Sequence, residues 1–179
     1  DYVKLDFLFS QAQCLENGDA FAADRSWTTN QHIRVMLDIV RAEMGPETHV
    51  LGCNYPFELG GDGINEARLT MDIAPFWNNV DYVYQAHAAR FFMHRWFAID
   101  PDFTIVRVPE APWNKGPMPF HVERAWNRNQ DNVGWRMGTF WNEEEMKVAL
   151  ALDILSGGSI ILGDWLPQLN ARGLEYIKV

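Results

Sequence analysis

Tyr2-Val3-Lys4-Leu5-Asp6-Phe7 is a short β-branched and apolar run that carries two charges where a buried strand should tolerate none. Strand side chains alternate, so Tyr2, Lys4 and Asp6 share one face while Val3, Leu5 and Phe7 share the other. This puts a carboxylate and an ammonium on a polar face at the strand's end. A second run of the same kind, Ala67-Arg68-Leu69-Thr70-Met71-Asp72, sets Arg68, Thr70 and Asp72 on one face and Leu69 and Met71 on the other. Two strands, each closing on an aspartate with a cation two or four residues earlier, point to a paired-carboxylate site. The competing reading is an edge-strand charge pair for Lys4 and Asp6 and a surface pair for Arg68 and Asp72.

With 179 residues, 47% apolar and 13% aromatic, the chain has enough material for one domain with a sizeable core, which excludes general disorder. It opens on a charged residue within a strand and has no initiator Met, which reads as a piece of something longer or a processed product, so localisation stays unknown. The net charge of −9, with no clustered Lys/Arg face, speaks against nucleic acid as a partner. Cys14 and Cys53 form no CxxC, and the five histidines lack HExxH spacing, so no metal site and no cofactor is expected. No apolar run approaches the roughly 20 residues that would span a membrane.

Outward from the first strand, Ser10 to Trp27 is polar and contains Gly and Asp, and reads as a long functional loop. Thr29 or Asn30 can cap a helix with Ile33, Met36, Leu37, Val40 and Met44 on one face, ending at Gly45-Pro46. A strand follows at His49 to Asn54, then a glycine-containing loop and the Asp72 strand. Asn78 or Asn79 opens a helix with Val80, Val83, Tyr84, His87 and Phe91 on one face, His87 reading as a core histidine. Trp96 to Asp102 is a further strand, stopped by Pro101. Residues 109–140, with four prolines and three tryptophans and no period, read as a long insertion or lid, with a poorly ordered excursion as the rival. Asn142 and Glu145 resemble a capping box for a helix burying Val148, Leu152 and Leu155. Ser159 to Asp164 reads as a doubly buried strand, and Leu166 to Ala171 as a short helix stopped by Gly173.

This alternation implies an α/β fold with parallel strands and right-handed crossovers. Asp6, Asp72, Asp100 and Asp164 all fall at strand C-terminal ends, the catalytic face of a β/α barrel. About five strands, where a closed barrel has eight, give a parallel half-barrel, a single partial domain over 1–179 that self-association could complete.

The ordered set Tyr2 to Phe7, Leu51-Gly52-Cys53, Arg68-x-x-x-Asp72, Asp100-Pro101-Asp102 and Ser156-Gly157-Gly158 running to Gly163-Asp164 resembles the second half of the catalytic barrel of clan D glycoside hydrolases. Families 27 and 36, the α-galactosidases and α-N-acetylgalactosaminidases, are the nearest match, over nearly the whole chain. The resemblance implies Asp6 as nucleophile and Asp72 as acid/base, Lys4 and Arg68 as partners of sugar hydroxyls, and Cys53 against the sugar. The first three barrel strands and the β-sandwich that usually follows the barrel are absent from this sequence, and Gly163-Asp164-Trp165 departs from the commoner small-residue ending.

The implied reaction is retaining hydrolysis of an α-linked galactoside or related glycan, for which carboxyl separations of about 5–5.5 Å are usual. Lys4 would keep Asp6 ionised, and Asp72 would donate a proton and later accept one. Trp77, Trp27 or Trp165 could stack on the sugar, with core packing as the plainer role for each. Asp100 could contact substrate, or with Asp164 could cap following segments or orient Lys4 and Arg68. A different class remains open: a non-catalytic carbohydrate-binding or oligomerising half-barrel, most simply a homodimer joined through unpaired sheet edges.

Overall fold

The computed structural model describes residues 1–18, 24, 26–106, 141–164, 166–169 and 171–178. Two compact units make up the chain, one of Asp1–Met71 with Arg90–Asp100, the other of Asp72–Ala89 with Pro101–Val179. Residues 109–140, the expected insertion, and Trp165 lie outside the described residues.

The first unit is a four-stranded parallel sheet in which neighbours in space are neighbours in sequence: β1 (Tyr2–Leu5), β2 (His49–Cys53), β3 (Glu66–Arg68) and β4 (Ala98–Asp100). Parallel neighbours in consecutive order are the winding of a β/α barrel. Between β1 and β2 run α1 (Leu8–Asn17) and α2 (Thr29–Met44). Leu8 and Ala12 of α1 and Ile33 and Leu37 of α2 pack with Val3, Leu5, Val50, Ala67 and Ile99 into one core. These strand residues all share one face by alternation, so the helices cover that face alone.

Local chemistry explains the helix ends. Thr28 and Gln31 exchange side-chain-to-backbone hydrogen bonds at the start of α2, and Gly45 takes the C-terminal turn at φ 81°. The observed cap, Thr28, comes one residue before Thr29 and two before Asn30, the expected alternatives. The polar stretch after β1 is not the loop that its composition suggests: α1 occupies Leu8–Asn17, started by Phe7 in the left-handed region (φ 57°) and anchored by Phe9 N–H donating to Asn54 O at 2.6 Å. Its helical signal is short, because Leu8 and Ala12 are its only buried residues.

In the second unit, α3 (Trp77–Arg90) buries Val80, Val83 and His87 as expected. Phe91 instead leaves the helix into a 3₁₀ turn and is exposed. β5 (Phe103–Thr104) pairs in parallel with β6 (Ile161–Leu162) as a separate two-stranded sheet. The apolar run at 159–164 is therefore a strand but not doubly buried: Ile160 and Leu162 are exposed, because the described residues pair β6 on one side only. α4 (Glu143–Ser156) begins with the anticipated Asn142–Glu145 capping box. Its buried face carries Met146, Ala149, Asp153 and Ser156, whereas Val148 and Leu155 are exposed. α5 (Ala171–Tyr176) runs through Gly173 instead of stopping there, after a 3₁₀ turn at Leu166–Gln168.

A polar contact sets the face of α4. Tyr84 of α3 donates its hydroxyl hydrogen bond to Asp153, and burial pushes the Asp153 carboxyl up to about 6. The folded state then holds this proton to a higher pH than the unfolded chain, whose carboxyl lies near 3.8. Stability from this group is full below that value and is lost as pH rises through 6. Asp153→Asn, which keeps an oxygen for Tyr84, will match or exceed the parent's melting temperature at neutral pH. Its advantage will grow between acid and neutral pH at up to about 1.4 kcal/mol per unit of the displaced pKa. Parallel thermal melts across that range test this, and a constant difference would refute it.

Candidate active site

The register of the first sheet builds a row of side chains at the strand C-terminal ends. Cys53 pairs with Arg68, and Arg68 with Asp100. Leu5 pairs with Gly52, so Asp6, the next residue, comes opposite Cys53. Asp6, Cys53, Arg68 and Asp100 thus form one layer on the face that the helices leave uncovered. Lys4, Leu51, Glu66 and Ala98 form the layer beneath.

Asp6 is the reachable member of the upper layer, its side chain 44% exposed. Partial burial works to raise its pKa, but a hydrogen bond from the Cys53 thiol, another from Phe7 N–H at 2.8 Å, and the charges of Lys4 and Arg68 together hold the carboxyl below the usual range. Lys4 Nζ stands 3.9 Å from Asp6 Oδ2, a solvent-screened pair that orients more than it stabilises. Cys53 is fully buried, and burial together with its bond to Asp6 pushes the thiol up to about 12. It is a hydrogen-bond donor, and it keeps its proton near neutral pH, so no thiolate is present for nucleophilic chemistry. Arg68 and Asp100, side by side in the register, are both buried.

Below this layer lies a group that the sequence reading missed. Glu66 is completely buried and bonds His49 Nε2 at 2.9 Å, while the His49 ring stacks on Tyr2 with centroids 5.3 Å apart and planes 6° from parallel. The Tyr2 hydroxyl, through burial and the nearby Glu66, Asp100 and Cys53, is pushed up to about 12. A signal for Glu66 was present: it sits two residues before Arg68, on the same face of the same strand.

Asp72 and Trp77 belong to the second unit. The strand expected to carry Arg68, Thr70 and Asp72 on one face stops at Arg68. Asp72 instead lies in an irregular segment before α3, exposed, its carbonyl accepting from Asn79 Nδ2 at 3.0 Å. Trp77, the first residue of α3, is 38% exposed. Asp164 Oδ2 accepts from Val106 N–H at 2.6 Å, a peptide just beyond β5 and earlier in the chain, not in a following segment. Trp27 lies in the first unit with its ring tilted against His32.

Among the described residues, the non-glycine residues with left-handed backbone are Phe7, Asn54 and Asp102, each one or two positions beyond a strand's C-terminal end. Strain of this sort, about 1–3 kcal/mol per residue, collects where surrounding contacts over-determine a site. Among the described residues no group of three or more His, Cys, Asp or Glu could hold a metal ion.

No protein-family model matches the chain. The structure is similar to the α-galactosidase from Thermus thermophilus, solved in complex with stachyose, with a TM-score of 0.64 and 18% identity over 99% of this chain. It spans only 34% of that protein's length. The likeness is one of fold, a parallel α/β sheet of half-barrel type.

The bonding of Cys53 predicts its reactivity. Iodoacetamide at about pH 8 will label the half-buried Cys14 well ahead of Cys53 in the folded protein, read by peptide mass spectrometry. Cys53→Ala will move the Asp6 carboxyl titration upwards in an NMR pH series, because a donor to the charged form is lost. Equal labelling of both cysteines, or an unmoved Asp6, would contradict the thiol–carboxylate bond.

Proposed function

We propose that the chain is the catalytic half-barrel of a retaining α-glycoside hydrolase of α-galactosidase type, with Asp6 as nucleophile and Asp72 as acid/base. One observation carries the reading: Asp6 is an exposed carboxylate kept ionised by Cys53, Lys4 and Arg68 in a single layer at the strand ends. Such a group is placed to attack, and a neighbouring layer of donors and charges is what a polyhydroxylated ring needs for recognition. The fold likeness to an α-galactosidase supports the same substrate class.

In the first step Asp6 attacks the anomeric carbon, the bond to the leaving oxygen breaks, and Asp72 supplies that oxygen with its proton. In the second, Asp72 takes a proton from water, whose oxygen attacks the same carbon and frees the Asp6 carboxylate. Lys4, Arg68 and Asp100 bind sugar hydroxyls, Cys53 lies against the ring, and Trp77 gives it an apolar face. The positive charge that develops on the ring is stabilised by the carboxylates around it. No cofactor takes part. The active species is a homodimer or a longer chain, since the edge strand β1 keeps one side without a partner strand among the described residues.

Turnover of 4-nitrophenyl α-galactoside tests the proposal. Asp6→Ala and Asp72→Ala will each lower kcat by roughly 10³-fold, and azide will restore Asp6→Ala by attacking the carbon that Asp6 no longer reaches, giving the β-galactosyl azide. Variants as active as the parent would end the glycosidase reading, and sugar binding without turnover in the parent would leave a binding module. Sedimentation as a monomer at micromolar concentration would remove the dimer.

A further inference from the structure

We infer that Asn79 and Asp102 are positioning residues that fix the backbone carrying Asp72, an inference that rests on Asp72 being the acid/base. The segment 72–74 lies beyond the end of β3 and gains nothing from the ladder. Its two consecutive peptide groups, 72–73 and 73–74, are held instead by two side chains. Asp72 O accepts from Asn79 Nδ2 at 3.0 Å, Ile73 N–H donates to Asp102 Oδ2 at 2.8 Å, and Ala74 N–H donates to Asn79 Oδ1 at 2.5 Å. All the residues involved belong to the second unit.

Their burial shows that this is a built support. Asn79 is 0% exposed and Asp102 4%, and Ile73 and Ala74 are buried with them, while Asp72 itself faces solvent. An amide using both its ends on one short segment leaves that segment little freedom. A buried carboxylate is expensive without a partner, and here its partner is the N–H adjoining Asp72. Asp102 accepts this bond from a left-handed conformation, φ 77°, a second cost incurred at the same place. Asn79 is the third residue of α3, yet its side chain reaches outside the helix to Ala74 and Asp72, so it does not cap α3. Further backbone bonds, Phe76 N–H to Ala74 O at 2.7 Å and Trp141 N–H to Pro75 O at 3.0 Å, close the segment on its far side. The result is an exposed acidic residue on a fixed backbone. A proton donor displaced by about 1 Å can lose on the order of 10²-fold in rate, so the support matters to catalysis in proportion to the reaction's need for the proton.

That need can be varied. A 2,4-dinitrophenyl α-galactoside departs almost unaided, whereas methyl α-galactoside must be protonated as it leaves. Asp72→Ala will lower kcat/KM for the methyl glycoside far more than for the dinitrophenyl one. Asn79→Ala and Asp102→Ala, with Asn79→Ser in reserve should the first not fold, will show the same selective loss, at about 10–100-fold. Asp102→Asn, whose oxygen can still accept from Ile73, will keep most of the parent's selectivity. Losses equal on both substrates, or none, would overturn the inference and leave these residues a purely structural part. If Asp72→Ala itself shows no selectivity, the acid/base assignment fails and the inference goes with it, while a parent inert on both substrates would reject the glycosidase reading first.

Discussion

The parallel register of β1 to β4 is the constraint on which the first unit depends. Because side chains alternate, this one alignment decides that Val3, Leu5, Val50, Ala67 and Ile99 meet the helices and that Lys4, Asp6, Glu66, Arg68 and Asp100 do not. A slip of one residue would drive Lys4 and Asp6 under α1 and α2 and bring Val3 and Leu5 out, exchanging apolar burial for unpaired buried charge. Gly52 adds to the same alignment, since a Cβ there would come 2.8 Å from the Tyr55 ring that packs over the strand. Register, helix packing and the charged layer are therefore one feature seen from three sides.

The strand-end aspartates share a second device. Asp6 accepts from Phe7 N–H, Asp102 from Ile73 N–H and Asp164 from Val106 N–H. In each case the donor is a peptide that has just left, or lies outside, a ladder and would otherwise lack a partner. A short carboxylate therefore completes the backbone and concentrates negative charge at the same end of a strand. Asp6 differs from the other two in its exposure and in the cations and thiol around it, and chemical use is assigned to it for that reason.

Period-two alternation made the charged face of β1 legible in the sequence, because it follows from local sterics, and the strand–helix alternation made the parallel pairing legible. The capping box of α4 was legible because it too is local, whereas that of α2, Thr28 with Gln31, lies just before the expected Thr29 or Asn30. Asp72 was placed on a strand because 67–72 alternates as a strand does. What the sequence did not show is that Asn79 and Asp102 capture the backbone at 72–74, so that no ladder is needed there. Glu66 was passed over because a fully buried acid is rare and its partner, His49, is remote in sequence. The face of α4 was misread by about one residue because a hydrogen bond between Asp153 and Tyr84, not greasiness alone, turns it inward.

The pairing of Tyr2 with His49, and of Glu66 with Ala98, also has a bearing on how the chain assembles. No hairpin can start such a sheet, so the entropy of closing each long crossover is lost before any strand–strand contact repays it. The capped helix α2 can form on its own terms during that interval. Until β1 finds β2, Val3 and Leu5 stand open to solvent, and this waiting period is when a newly made chain is most exposed to clumping and most in need of a chaperone.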